Sequence, residues 1–321
     1  MAGISAMGTI YNLPNYHGII YQITPNDTPF FSAIGGLTGG KSTLSTEFSW
    51  QTFDLPSAAQ PAILEGADPS LGARVRAEIR NVVQIFQYGI KLSYTKMSAP
   101  NNYGTAGASS NPMGVGGNNP VNNEMSWQVQ QVLKTAARDI EYSFINGAYQ
   151  LPANNSTARK TKGMLAAITS NVVDASSAPL SETHFKTLLK SIWDGGGIQE
   201  QDTAYVYCNS TQKEKISEIY AYAPQDRNVG GVDINTIETD FGRLNVVLNR
   251  YVPQDTILVA SIEACAPVFL MVVEDGVTKG FLFEEPLAKT GAAATRQIYG
   301  EIGLEYGYEG QHGKIIGLAT S

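Results

Sequence analysis

From residue 74 to residue 94 the chain alternates for longer than one ordinary strand can use. Arg74, Arg76, Glu78 and Arg80 take every second position against Val75, Ala77, Ile79 and Asn81, the period of a strand with two unlike faces. The apolar parity then switches: Val83 and Ile85 are odd, while Tyr88, Ile90, Leu92 and Tyr94 are even, so a bulge or face switch is expected near 86–88. A continuous strand over this run would reach about 70 Å at roughly 3.3 Å per residue, against about 5–6 residues for an ordinary strand. Upstream, Phe48, Trp50 and Thr52 alternate with Glu47, Ser49 and Gln51, and the stretch between carries Pro56, Pro61, Gly66 and Pro69. Together these describe a long two-stranded hairpin projecting from a body. A lone hairpin is marginal in water, so the alternating face Arg74, Arg76, Glu78 and Arg80 is a candidate contact with another subunit. The plainer alternative is two ordinary strands on each side of the bulge within one sheet.

Residues 1–40 read as an extended arm, broken by Pro14, Pro25, Pro29, Gly35-Gly36 and Gly39-Gly40. Within it Phe30 and Phe31 form an apolar anchor that needs a neighbour or the protein's own body to lie on, because two exposed Phe invite aggregation. Residues 99–121 are rich in Asn, Gly, Ser and Pro and read as a loop. A helix is expected over 123–150, capped by Asn122 or Asn123 and ended by Pro152, about 39 Å long. Met125, Val129, Val132, Leu133, Ala136, Ile140, Phe144 and Ala148 hold its apolar face, with Gln128, Gln131, Lys134, Arg138 and Glu141 largely off it.

Residues 163–262 read as a compact α/β unit. Ser181 caps a helix with Phe185, Leu188, Leu189, Ile192 and Trp193 inward, stopped by Gly195. Residues 204–208, 244–248 and 256–260 are strands, Ser210 caps a second helix with Ile216, Ile219 and Tyr220 inward, and 229–240 is a loop. Beyond 265 the pattern is β again, at 268–273, 279–283, 297–308 and 313–318.

Charge narrows the function. Only 16% of residues are charged and the net charge is −7. A surface poor in charge is easier to desolvate, which suits subunit contact. Sequence-independent nucleic-acid binding needs a basic surface to displace counterions, and no Lys/Arg cluster supplies one. Cys208 and Cys265 have no paired spacing. No Lys or Arg precedes Lys41, and the longest apolar run, 264–273, is about half the roughly 20 residues of a membrane helix. Synthesis in the cytoplasm and no membrane partner are expected.

One string competes for an enzymatic reading. Residues 35–42, Gly-Gly-Leu-Thr-Gly-Gly-Lys-Ser, match the phosphate-cradling pattern G-x-x-x-x-G-K-[ST]. That cradle works because a helix follows and aims its N–H groups at the anion. Here Thr43 to Trp50 are β-branched and alternating, a strand pattern, so the string reads as a flexible elbow. His17, His184 and His312 are scattered without metal-ligand spacing. Glu284 and Glu285 would point to opposite faces of a strand and read as a polar turn before Pro286. No catalytic, cofactor-binding or metal-ligating residue is assigned.

The order arm, long hairpin, long helix, α/β unit, β return resembles the Hong Kong-97-type phage capsid fold, an α+β architecture of N-arm, E-loop, spine helix, P-domain and A-domain. The stretch from Thr28 to Gly35 resembles the N-arm signature of the tailed-bacteriophage major head proteins. Pro286 to Gly291, Gly300 to Glu305 and His312 to Leu318 resemble that family's closing β segment. The resemblance implies an N-arm at 1–40, an E-loop at 41–98, loop, spine helix and start of the P-domain at 99–165, an A-domain at 166–262, and returning P-domain strands at 263–321. It implies a non-enzymatic subunit that assembles with itself as hexamers and pentamers into an icosahedral shell enclosing DNA. It further implies a portal and possible separate scaffolding and cement proteins. A cellular nanocompartment shell of the same fold is the alternative use. Phe30, Phe31, Arg74, Arg76, Glu78 and Arg80 are the candidate interface residues.

Overall fold

The computed structural model describes residues 22–60, 62–66, 68, 72–98, 124–198, 204–220, 235–289 and 291–320. His17, the loop at 99–121 and the Asn122/Asn123 cap lie outside the described residues.

The first half of the chain holds α1 (Pro29–Ala33), β1 (Lys41–Thr43), β2 (Glu47–Phe53), β3 (Arg76–Val82), β4 (Gln84–Ser93), α2 (Tyr94–Ser98) and α3 (Glu124–Asn146). Then come α4 (Met164–Ala167), β5 (Val172–Asp174), α5 (Glu182–Asp194), β6 (Ala204–Cys208), α6 (Ser210–Tyr220), β7 (Thr236–Thr239), β8 (Gly242–Leu248) and β9 (Ile257–Ser261). The chain closes with β10 (Ala266–Leu270), β11 (Val273–Glu274), β12 (Val277–Thr278), β13 (Phe283–Pro286), β14 (Ala293–Glu305) and β15 (Gly313–Ile316). Contacts divide the described residues into two compact units. The smaller takes residues up to 26, Gln87–Ala136 and Glu284–Tyr299; the larger takes Asp27–Phe86, Ala137–Phe283 and Gly300–Ser321.

The larger unit contains a six-stranded mixed sheet in the order β5-β15-β9-β6-β8-β7. The short apolar run of β6 sits near its centre, with Val206 beside Val246 of parallel β8 and Val259 of antiparallel β9. A strand covered on both edges and both faces reads as a continuous apolar run. Helix α5 lies over this sheet. The Ser181 hydroxyl accepts from the His184 amide at its start, and Phe185, Leu188, Leu189 and Ile192 are buried. They pack with Val206, Leu244, Val246, Ile257, Val259 and Ile315. At Gly313 a Cβ would stand 2.7 Å from both Leu188 and Ile192, so the absent side chain lets helix and strand approach. Trp193 is 56% exposed, contrary to the inward placement expected. Eight residues after Phe185 a helix has turned about 80° past the inward direction, which leaves the indole on the flank.

The same unit holds β1-β10-β14 over residues 300–305, and the separate β2–β3 ribbon. Phe48 and Val83 pack with Val268 there, flanked by Trp50 and Leu270. The smaller unit pairs β13 and β4 with the first half of β14. The Gln87 amide donates to Gln297 at 2.8 Å, and the Tyr94 N–H to the Ala292 carbonyl at 3.3 Å.

Several local expectations are corrected. The anchor Pro29–Ala33 is a helical turn rather than extended chain; Pro29 is compatible with a first helical position because its missing N–H is not needed there. The break in the long alternating run falls at Val83, between β3 and β4, and not at 86–88. Val83 is fully buried, so the parity switch occurs where the chain enters the core. Helix α3 ends at Asn146, because Gly147 abuts the Thr161 carbonyl too closely for a side chain. Strand β7 occupies part of the expected loop 229–240. The expected strand at 279–283 is absent: Asp275 and Gly276, both at positive φ, close a two-residue hairpin between β11 and β12. Glu284 and Glu285 lie in β13 rather than a turn, facing Arg296 and Gln297 on β14.

Candidate assembly interface

Strands β2 and β3 pair antiparallel in one unbroken register, Glu47 opposite Val82 through Phe53 opposite Arg76. Side chains alternate across such a ribbon. One face carries Phe48, Trp50 and Thr52 with Ala77, Ile79 and Asn81. The other carries Ser49, Gln51 and Phe53 with Arg76, Glu78 and Arg80. Arg74, Arg76, Glu78 and Arg80 are all exposed. The Arg80 guanidinium donates to Glu78 at 2.8 Å and stands 3.7 Å from Glu47, while Arg76 donates to Gln51 at 2.9 Å. Hydrogen bonds from Ser49 and Arg80 hold the Glu78 carboxyl below its ordinary value. Arg74 makes no ion pair among the described residues. Exposed ion pairs contribute little to stability, roughly 0–1 kcal/mol, so this row is available for a partner at small cost to the fold. The tip of the ribbon and the excursion beyond it expose Phe53, Leu55, Ile63, Leu64 and Val75, with Leu64 at 85% and Val75 at 80%.

The base of the ribbon is held firmly. The Trp50 indole donates to the Gly307 carbonyl at 2.7 Å and meets Tyr306 edge-on at 4.9 Å. Asn81 is fully buried. Its amide nitrogen donates to the carbonyls of Leu304 (2.6 Å) and Lys162 (3.2 Å), and its oxygen accepts from the amides of Lys162 (2.9 Å) and Val82 (2.8 Å).

Phe30 and Phe31 pack into the body of their own subunit. Both are essentially fully buried. Phe30 meets Tyr207 edge-on at 5.5 Å, and Phe31 meets Phe144 of α3 at 5.7 Å. Their backbone amides donate to the two oxygens of Glu141, at 3.0 and 2.5 Å, and the Asn249 side chain donates to the same carboxylate at 2.5 Å. Burial raises the Glu141 carboxyl, against the three hydrogen bonds that lower it.

Three of these residues were not legible as functional beforehand. The sequence spacing puts Glu141 largely off the apolar face of α3, yet it is fully buried. The signal was Ile145, four residues on and also fully buried, which widens the buried stripe to include position 141. Asn81 looked like one polar step in an alternating strand. Asn249 carried no sequence signal at all.

The glycine string is an elbow in the structure. Strand β1, not a helix, follows it, and the Lys41 ammonium pairs with Glu305 at 2.8 Å. Gly40 has φ +112, and a Cβ there would lie 2.3 Å from the Pro267 carbonyl oxygen, so the glycine serves a close backbone approach. Cys208 and Cys265 are buried thiols, Cys208 pushed up to about 12 by burial. The His312 ring is buried: Nδ1 accepts from the Ser261 amide (3.2 Å) and Nε2 donates to the Tyr306 carbonyl (2.7 Å). No helix among the described residues is long and apolar enough to cross a membrane.

Comparison with known structures places this architecture. The chain is similar to the cyanophage A-1(L) capsid asymmetric unit, with TM-score 0.70 and 8% identity over 99% of this chain and 100% of that one. It is similar to the capsid of a native GTA particle, with TM-score 0.65 and 10% identity over 99% and 100%. It is also similar to the holo-SrpI encapsulin complex from Synechococcus elongatus PCC 7942, with TM-score 0.56 and 10% identity over 100% and 98%. At such identities the likeness establishes the fold, the Hong Kong-97-type capsid fold. No curated protein sequence matches the chain. The family model described as SU10 major capsid protein matches residues 3–319. With nearly its whole length matched and its fold shared with phage capsids, the chain belongs to the SU10 major capsid protein family and is a structural subunit of a phage capsid.

Proposed function

We propose that copies of this chain assemble as hexamers and pentamers into an icosahedral shell around a double-stranded DNA genome, and that the β2–β3 ribbon is the surface with which each copy grips the next. The observation that carries this reading is the ribbon's outer face with the excursion beyond it. It presents Arg74, Arg76, Glu78 and Arg80 together with five large exposed apolar side chains. Apolar groups grouped this way on a surface mark contact sites. The rigid base at Trp50 and Asn81 supports the same use, since a preorganised contact loses less entropy on binding.

In this reading residues 1–40 act as N-arm, 41–98 as E-loop, 99–165 as loop, spine helix and start of the P-domain, 166–262 as A-domain, and 263–321 as returning P-domain strands. The subunit acts without catalysis. Portal, separate scaffolding and cement proteins are its further partners, and synthesis and assembly take place in the host cytoplasm. A net charge of −7 suits a wall that holds packed DNA without binding it tightly.

The test is the triple variant Arg74→Glu, Arg76→Glu, Arg80→Glu. The row would then carry five carboxylates with Glu47 and Glu78. The variant is expected to stay folded, by circular dichroism, and to form no shells in sedimentation and negative-stain electron microscopy. Normal shells from it would show that the row is merely solvated. The likeness to an encapsulin favours one second reading, a cellular shell of the same fold. The DNA content of purified particles separates the two.

A further inference from the structure

Among the described residues three hydrogen-bond donors converge on Glu141. The amides of Phe30 and Phe31 and the side-chain nitrogen of Asn249 converge on its two oxygens, and the residue is fully buried. The first amides of a helix have no partner inside it. In α1 the accounting is complete: Pro29 has no N–H, Phe30 and Phe31 donate to Glu141, and Ser32 donates to the Thr28 carbonyl at 2.9 Å. A five-residue helix cannot stand alone; the carboxylate takes its free amides while Tyr207 and Phe144 cover its rings.

Three segments of the larger unit meet at that carboxylate. Helix α3 supplies Glu141. Segment 27–31 brings the two Phe amides, with Asp27 standing 3.3 Å from Arg250. Loop 249–251 brings Asn249, and it is fastened to α3 twice more, by Arg138 to the Tyr251 hydroxyl (2.9 Å) and by Asn146 to the Tyr251 carbonyl (2.7 Å). Neither of these two bonds holds segment 27–31. Among the described residues, and apart from the exposed Asp27 pair, its polar attachment at this junction runs through Glu141.

We propose that Glu141 is a clasp that fixes where the N-terminal segment joins the subunit body, and that efficient shell assembly depends on this carboxylate. The inference rests on the shell-building reading above. Glu141 acts through the segment it holds and is a positioning residue. An arm whose root is fixed has less freedom to lose when a neighbouring subunit orders it. The chemistry requires a carboxylate, not merely a polar side chain of that size. Glu141→Gln keeps the shape but sets an NH2 group against donors.

The experiment uses the full chain. On the unassembled subunit, hydrogen exchange of the Phe30 and Phe31 amides reads the clasp directly; sedimentation reads shell yield. In Glu141→Gln, exchange at these two amides is expected to rise about 10- to 100-fold, the loss of charge-assisted hydrogen bonds. Protection in β6, β8 and β9 should stay unchanged, and shell yield should fall at least about tenfold. Glu141→Asp, one methylene shorter, should fail to restore either. Unchanged protection of Phe30 and Phe31, or wild-type shell yield, overturns the proposal. So does an equal loss of protection across the six-stranded sheet, which would make Glu141 a residue of the fold at large. If Glu141→Gln yields no folded protein, Glu141→Asp, whose shorter side chain withdraws the carboxylate from both amides, carries the test with the same two readouts and the same overturning results. If the wild-type chain itself forms no shells, the shell-building reading fails, while exchange at Phe30 and Phe31 still decides the clasp.

Discussion

Replacing Asn81 with alanine should loosen the ribbon at its root, and the size of the effect follows from what is left behind. Leu304 lies opposite Pro267 in the β10–β14 pairing, yet its polar groups are served from elsewhere. Its carbonyl accepts from Asn81 and its amide donates to the Thr161 hydroxyl. Two side chains thus stand in for a neighbouring strand. Alanine at 81 abandons the Leu304 carbonyl and the Val82 amide in the interior, and the Lys162 amide and carbonyl in a partly wet site. A buried polar group left unpaired costs roughly 1–3 kcal/mol, and a partly solvated one less, so a loss of about 4 kcal/mol is expected. Aspartate should be no better, because it turns the donor nitrogen into an acceptor facing two carbonyls. The assay is urea unfolding followed by Trp50 fluorescence, with Trp127 and Trp193 replaced by Phe. Trp50 donates to Gly307 at the same root, so it reports this region even where the whole chain does not unfold in one step. A loss below about 1 kcal/mol would refute the idea that Asn81 stands in for a strand.

Further outcomes can be checked alongside the charge-reversed ribbon and the Glu141 variants. Phe31→Ala removes a fully buried ring that packs on Phe144 and should cost about 3–5 kcal/mol in the same unfolding assay. Burial pushes the Glu309 carboxyl up, but hydrogen bonds from Thr169 and Ser170 together outweigh it and hold the carboxyl below its ordinary value. Its contribution is therefore complete above the unfolded carboxylate value and is lost as pH falls through the lower folded one. Glu309→Gln should be less stable than wild type at neutral pH, and the two unfolding curves should converge in acid.

How far the sequence was readable depended on whether a signal was local. The α5 cap at Ser181, the β6 run and the charged alternation of β3 each follow from a period or a cap within one segment, and they appear as expected. The misses arise where a distant partner decides. Trp193 follows an i+8 spacing from Phe185, but that step carries it about 80° past the inward direction, onto the flank the sheet leaves open. Glu284 and Glu285 look like a turn until β14 pairs with them. Phe30 and Phe31 announce an anchor, but not that the anchorage lies in Phe144, Tyr207 and Glu141, over a hundred residues away. Glu141 and Asn249 meet only in the folded chain, so neither carries its role in its neighbours.

The unbroken register of β2 and β3 also governs how the ribbon can change length in related chains. One extra residue in β2 would turn every later side chain to the opposite face, sending Phe48 or Trp50 into water and Ser49 or Gln51 onto the body. Viable lengthening within the strands must therefore come in twos, matched on both strands. The described residues of the excursion between Phe53 and Arg76 have no strand pairing to keep in step, so insertions of any parity can be absorbed there. Variation in reach should accumulate at the far end of the ribbon, while the paired segment keeps its length or grows by even steps.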